Sequence, residues 1–147
     1  MDPSLAFQRA IATRLLSTAA VTAIVGQRVL APQDAQGATY PFVEIGEGQF
    51  VPEDGGCAPA GEQYETIHVW ASGQGGSLKA KELASAVRAA LAPPPPTYAP
   101  KLTLAGVNIS SAVCESVRHL SDGDATDAKG LVAHSVLTFR FRVQAAA

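Results

Sequence analysis

The chain has 147 residues, 47% of them hydrophobic, which is enough for one ordinary domain with a real core. Only 16% are charged, below the roughly 25% of an average soluble domain, and 11 Lys and Arg against 13 Asp and Glu leave a net charge of −2. This balance excludes bulk electrostatic binding of nucleic acid and a polybasic membrane surface, and the composition excludes a disordered tail, a coiled coil and a collagen-like chain.

No apolar run reaches the ~18 residues of a membrane span. The opening MDPSLAFQRAIATRLL lacks the basic region and continuous apolar core of a signal peptide, so use in the cytoplasm is expected. Two cysteines, Cys57 and Cys114, are too few for a disulfide scaffold and are expected to be reduced. A low charge count with 13 Gly and 10 Pro suggests a loop-rich surface that an assembly could cover.

Asp2 and Pro3 start a helix whose Phe7, Ile11 and Leu15 form one apolar stripe. Ser17 or Thr18 caps a second helix, Ala19–Val25, ended by Gly26. Arg28–Leu30 reads as a short strand. Tyr40–Gly46 is a strand with Pro41 at its start or on an edge, followed by a loop over Gln49–Gly61. Glu62–Ala71 is rich in β-formers. After Ser72–Gly76, Ser77 is expected to cap a helix with Ala80, Leu83, Ala84, Val87, Ala90 and Leu91 on one face. Pro93–Pro96 stops it as a stiff connector.

Lys101–Leu104 reads as a short strand. Val107–Leu120 alternates, with Val107, Ile109, Val113 and Val117 expected on one side. Ser121–Gly130 reads as a polar loop. Leu131–Val143 directs Leu137, Phe139, Phe141 and Val143 inward and Thr138, Arg140 and Arg142 outward. The last two strands form a long antiparallel hairpin. The expected fold is therefore α+β: one domain over residues 1–147, a mainly antiparallel sheet, an N-terminal helix pair and one central helix packed against it.

No constellation of reactive groups rises above background. A Gly-x-Ser-x-Gly elbow is absent. Gly46-Glu47-Gly48 lacks the third glycine and following helix of a dinucleotide loop, and Gly73–Gly76 lacks the Lys-Ser or Lys-Thr of a phosphate loop. Asp122–Asp127 fails as a calcium loop, because its sixth and twelfth positions are Asp127 and Ala133. His68 shares a strand face with Trp70 by period. His119 and His134 are placed to face each other across the hairpin loop, where Cys114 or Asp122 could complete a zinc site; a packed role for each histidine is the simpler reading. No catalytic residue, cofactor or metal is therefore expected.

Five segments in order carry a wider resemblance: Val25-Gly26-Gln27-Arg28-Val29 after the helix pair, Tyr40–Gly46, Thr66–Trp70, the Lys79–Leu91 helix, and the closing run His134–Arg142. Together they resemble a family of tailed-phage tail-completion proteins, which includes tail terminators of long-tailed phages and of gene transfer agents. The resemblance spans roughly residues 4 to 143. It implies a structural protein forming a homo-hexameric ring that caps the tail tube, stops its polymerisation and joins it to the head connector. The implied partners are other copies of the chain, the tail tube protein, and a connector or stopper, with no membrane and no sequence-specific nucleic acid. The implied location is the host cytoplasm during assembly and then the head-proximal end of the tail. A head-closure protein of the neck is the alternative within this class; a small α+β enzyme or ligand-binding module is the alternative outside it. Candidate interface residues are Gln49, Phe50, Glu53 and Asp54 in the first loop, Asp122, Asp124 and Asp127 in the second, and the outward Arg140 and Arg142.

Overall fold

A computed structural model describes the backbone of residues 1–94, 102–127 and 130–147, and the side chains of these residues outside 121–130. The elements are α1 (Ser4–Leu16), α2 (Ala19–Val25), β1 (Val29–Leu30), α3 (Pro32–Ala35), β2 (Phe42–Glu53), β3 (Ala60–Ser72), α4 (Gly76–Leu91), β4 (Val107–Asp127) and β5 (Gly130–Ala145). The strands form one five-stranded sheet in the order β1-β2-β3-β5-β4, in which only the short β1–β2 pairing is parallel. The expected α+β architecture is the observed one.

The helices lie on one face of the sheet because their apolar stripes have nowhere else to go. Phe7, Ile11 and Leu15 of α1, Val21 and Val25 of α2, and Leu83, Val87 and Leu91 of α4 are all fully buried. They meet Val43 and Ile45 of β2, Ile67 and Val69 of β3, and Leu137, Phe139, Phe141 and Val143 of β5 in one core. Phe7 stacks obliquely on Phe141, with ring centroids 5.0 Å apart. Asp2 accepts hydrogen bonds from the Ser4 N–H and hydroxyl and so does a cap's work, although the helix proper begins at Ser4.

Several expectations need correction. The start of α4 is Gly76, entered through Gly75 in the left-handed conformation at φ 75°, and Ser77 does not cap it. The segment read as a loop over Gln49–Gly61 is mostly sheet: β2 runs on to Glu53 and β3 begins at Ala60. The Gly, Pro and Glu content that suggests a loop belongs to an edge of the sheet, where Pro52 is tolerated because no strand among the described residues lies on its outer side. Likewise β4 continues to Asp127, and Asp127 pairs with Gly130 of β5, so the segment expected as a loop over Ser121–Gly130 is mostly strand. Leu104 makes only an isolated bridge to Val107 in place of a strand; Lys101 lies outside the described residues, as do Pro95 and Pro96. The single helical turn α3 has no counterpart in the sequence-based reading.

Register irregularities explain the remaining miss. Between Ile109 and Ser111, and again between Cys114 and Ser116, β4 slips one residue against β5. Each slip reverses the alternation. Val113 therefore pairs with outward Arg140 and leaves the core face, while Ala112 and Cys114 take its place opposite Phe141 and Phe139. A similar break between Ile45 and Gly48 turns Phe50 inward and Gln49, Val51 and Glu53 outward.

The Phe50 ring and the Val51 carbonyl close over Gly61, where an added Cβ would lie 2.7 Å and 2.5 Å from them. Gly61→Ala should therefore destabilise the β2–β3 ladder by about 1–3 kcal/mol, the usual cost of overpacking. Chemical denaturation of the two proteins measures it; equal midpoints would mean that β2 does not hold this position in solution.

Candidate functional site

Helices cover one face of the sheet; the other carries no helix among the described residues, and its side chains come from alternate positions on β2, β3, β5 and β4. At the end nearest Glu53 these are charged. Arg142 donates from both terminal nitrogens to the two carboxylate oxygens of Glu53, each at 2.7 Å, and stands 4.0 Å from Glu62. Arg140 donates to Glu62 at 3.0 Å and to Glu115 at 2.8 Å. Tyr64 donates its hydroxyl to the other Glu62 oxygen at 2.8 Å. Three carboxylates and two guanidiniums thus form a ladder across four strands.

The ladder sets the ionisation of its members. The Tyr64 hydroxyl, followed by Arg140, holds Glu62 below the ordinary carboxyl range, and Arg142 does the same for Glu53. In return Glu62 pushes the Tyr64 hydroxyl up. Arg140 and Arg142 are therefore not a bare basic stripe. Each is neutralised by acids of its own chain, and what the face offers a partner is a set of fixed, satisfied dipoles.

At the other end the open face is aromatic. His134 stacks on Trp70 with centroids 3.7 Å apart and planes 6° from parallel. Its Nε2 lies 2.8 Å from His68 Nδ1, a separation at which the two nitrogens share one proton. Trp70 donates its indole N–H to Glu44 at 3.3 Å, and Phe42 and Tyr40 continue the ring series. His119 does not face His134, contrary to expectation. It lies on the helix side, where its Nδ1 is 2.7 Å from the hydroxyl of buried Ser135. The one-residue offset between His119↔Ser135 and Leu120↔His134 in the ladder separates the two rings.

The exposed Glu47 carboxylate stands 3.6 Å from His68 Nε2, at the other ring nitrogen from the one that meets His134. Among the described residues no carboxylate is bonded to His119, so the Ser135–His119 pair has no orienting acid there. No three His, Cys, Asp or Glu side chains stand together as metal ligands among the described residues. Cys57 and Cys114 are unbridged, and burial pushes the Cys114 thiol up, away from the reactive thiolate. No helix among the described residues is long and apolar enough to cross a membrane.

The candidate interface residues divide. Glu53, Arg140 and Arg142 join in the ladder. Gln49 lies exposed on the same face opposite Tyr64, and Asp54 is exposed just beyond the end of β2. Phe50 packs against the core instead. Asp122, Asp124 and Asp127 belong to β4 at the opposite end of the sheet, and their side chains lie outside the described residues. Sequence reasoning passes over Glu62 and Glu115. Strand parity is the available signal for Glu62, which pairs directly with Arg142; the slips in β4 hide Glu115.

A search of curated proteins finds no relative of the chain. Solved structures do share its fold. A chain of a native gene transfer agent virion aligns with a TM-score of 0.71 and 20% identity, covering 96% of each chain. The gp17 protein of bacteriophage SPP1 aligns with a TM-score of 0.54 and 24% identity, covering 94% of this chain and 88% of that one. The family described as tail completion protein gp17 matches residues 9–144. With the match running from α1 to the end of β5, the chain belongs to the tail completion protein gp17 family.

Proposed function

We propose that this protein is a tail terminator: a homo-hexameric ring that caps the tail tube of a phage or gene transfer agent, stops its polymerisation and joins it to the head connector. The observation that carries this reading is the family match over residues 9–144, which takes in every strand of the sheet and the helices packed on it. A virion chain of a gene transfer agent sharing the fold end to end is consistent with it. The surface suits the role as well. A sheet that, among the described residues, carries no helix on one face and has unpaired strand along both edges is covered by neighbours when head-to-tail contacts close a ring. The mechanism is then steric and electrostatic complementarity, with no bond made or broken, and the protein acts as no enzyme. Its partners are further copies of itself, the tube protein and a connector or stopper, met in the host cytoplasm during assembly. Antibody labelling of purified particles tests the placement. Label at the head–tail junction is expected; label at the distal tip, or none on the particle, would contradict it.

A further inference from the structure

Beyond Glu44 the edge of β2 has no neighbouring strand among the described residues, because β1 pairs only with Val43 and Glu44. The opposite edge of the sheet is β4. The pairings between them make β2 and β4 antiparallel. A second copy placed with its β2 beside β4 therefore continues the sheet in an antiparallel sense. The same pairings set relative heights. Gly48 is opposite Glu65, Glu65 opposite Phe139, and Phe139 opposite Cys114. Gly48 on one edge and Cys114 on the other thus stand level.

On the helix side of the β2 edge there is a recess of about 240 Å³ whose lining includes Ser4, Gln8, Ile45, Gly48 and Glu65. Glu65 is only 3% exposed. Gln63, fully buried, donates to it at 2.8 Å, yet the Gln63 Oε1 has no hydrogen-bond partner among the described residues. Two acceptors are therefore held in a buried place with no cation beside them among the described residues, which costs stability unless a donor arrives. The missing side chain at position 48 keeps the approach clear: a Cβ there would lie 3.1 Å from both carboxylate oxygens.

The helix side of the β4 edge carries the opposite chemistry. Lys81, Ser85 and Arg88 of α4, with Val117 and His119 of β4, line a recess of about 210 Å³ that contains no carboxylate among the described residues. Arg88 is exposed, has no ion pair among the described residues, and lies close enough to Cys114 for its charge to act on the thiol. Val117 and His119 of that recess are level with Ile45 and Val43 through Leu137 and Ser135, beginning one inward step of β4 beyond Cys114, and the recess is on the same side of the sheet as Glu65.

We propose that Arg88 of one copy enters the Glu65 recess of the next, its guanidinium donating to the Glu65 carboxylate, with the β4 edge of the first copy against the β2 edge of the second. The planar fork of arginine matches the two oxygens of that carboxylate. The contact uses different surfaces on the two copies, so it passes from copy to copy around a ring, and it rests on the ring reading given above. The slips at Ile45/Gly48 in β2 and at Ile109/Ser111 and Cys114/Ser116 in β4 bend both edges. Bent edges resist indiscriminate pairing, which leaves side-chain complementarity to select the partner. Burial also pushes Glu65 up to about 7, so the carboxyl is ready to ionise when a cation reaches it.

Self-association of the full-length protein, followed by analytical ultracentrifugation up to about 1 mM, tests the contact. The parent is expected to form multimers. Arg88→Glu and Glu65→Gln should each weaken association at least about tenfold, whereas Arg9→Glu, which alters an exposed cation on α1 that lines neither recess, should not. Glu65→Gln should do so while folding at least as stably as the parent, which separates a lost contact from a damaged subunit. Arg88→Glu, at an exposed position, guards against a folding failure of the buried variant. Multimers that form unchanged in both variants would overturn the contact and leave the ring reading standing. A parent that stays monomeric throughout would overturn the contact too, and particle labelling then decides the terminator role independently.

Discussion

Val87→Asp should yield no soluble folded protein. Val87 sits one turn before the end of α4 with no exposed surface, inside the cluster that joins the helices to β3 and β5. An aspartate there must either ionise without a partner or bury a protonated carboxyl without hydrogen bonds, at a cost of about 3–5 kcal/mol. A domain of this size holds about 5–15 kcal/mol in total, so most or all of its margin disappears. Ala89→Asp, two residues on and exposed, is the control and should express normally. Circular dichroism of the soluble fractions compares them. A Val87→Asp protein melting with the parent would mean that α4 does not cover the sheet.

The second large effect is a dependence of stability on pH carried by Glu65. In the unfolded chain its carboxyl ionises near 4.5, whereas burial, only partly opposed by the Gln63 amide, raises it to about 7 in the native state. The residues around it in the recess, Ser4, Leu5, Gln8, Ile45, Gly46 and Gly48, bring no charge to offset the desolvation. Between those two values the native state binds more protons than the unfolded state. Stability is therefore greatest below about pH 4.5 as far as this group is concerned. It falls as pH rises to about 7, by about 3 kcal/mol in all, and is flat above. Glu65→Gln keeps the acceptor for Gln63 and removes the ionisation. It should match the parent near pH 4.5 and exceed it at pH 8 by about 2–3 kcal/mol. Urea unfolding of both proteins at the two pH values measures the difference. Equal stability at pH 8 would show that Glu65 is solvated in the native protein.

Glu65 is also a case where strand parity alone locates a residue. Ile67 and Val69 mark the inward parity of β3, and counting back by twos places Glu65 and Gln63 on the same buried face, where they are found. The apolar stripes of α1 and α4 and the inward run Leu137–Val143 are legible in the sequence for the same reason: nothing interrupts their periods. Periodicity fails where the chain slips. Val113 has the spacing of a core residue, and one extra residue at Ile109/Ser111 turns it to the open face. Composition fails at edges. Gly48, Pro52 and Glu53 carry the chemistry of a loop, yet they belong to the part of a strand whose outer side has no neighbouring strand among the described residues. The Arg140–Arg142 stripe is visible in the sequence, but its neutralisation is not, because Glu53, Glu62 and Glu115 come from three other strands.

The terminator role is tested most directly by deleting the gene and measuring tail lengths by electron microscopy of the resulting lysate. Deletion is expected to give tails of uncontrolled length, or full tails that never join heads, with both defects reversed by the gene supplied in trans. Normal-length tails beside leaking heads would place the protein in the neck as a stopper, and normal joined particles would contradict the account altogether.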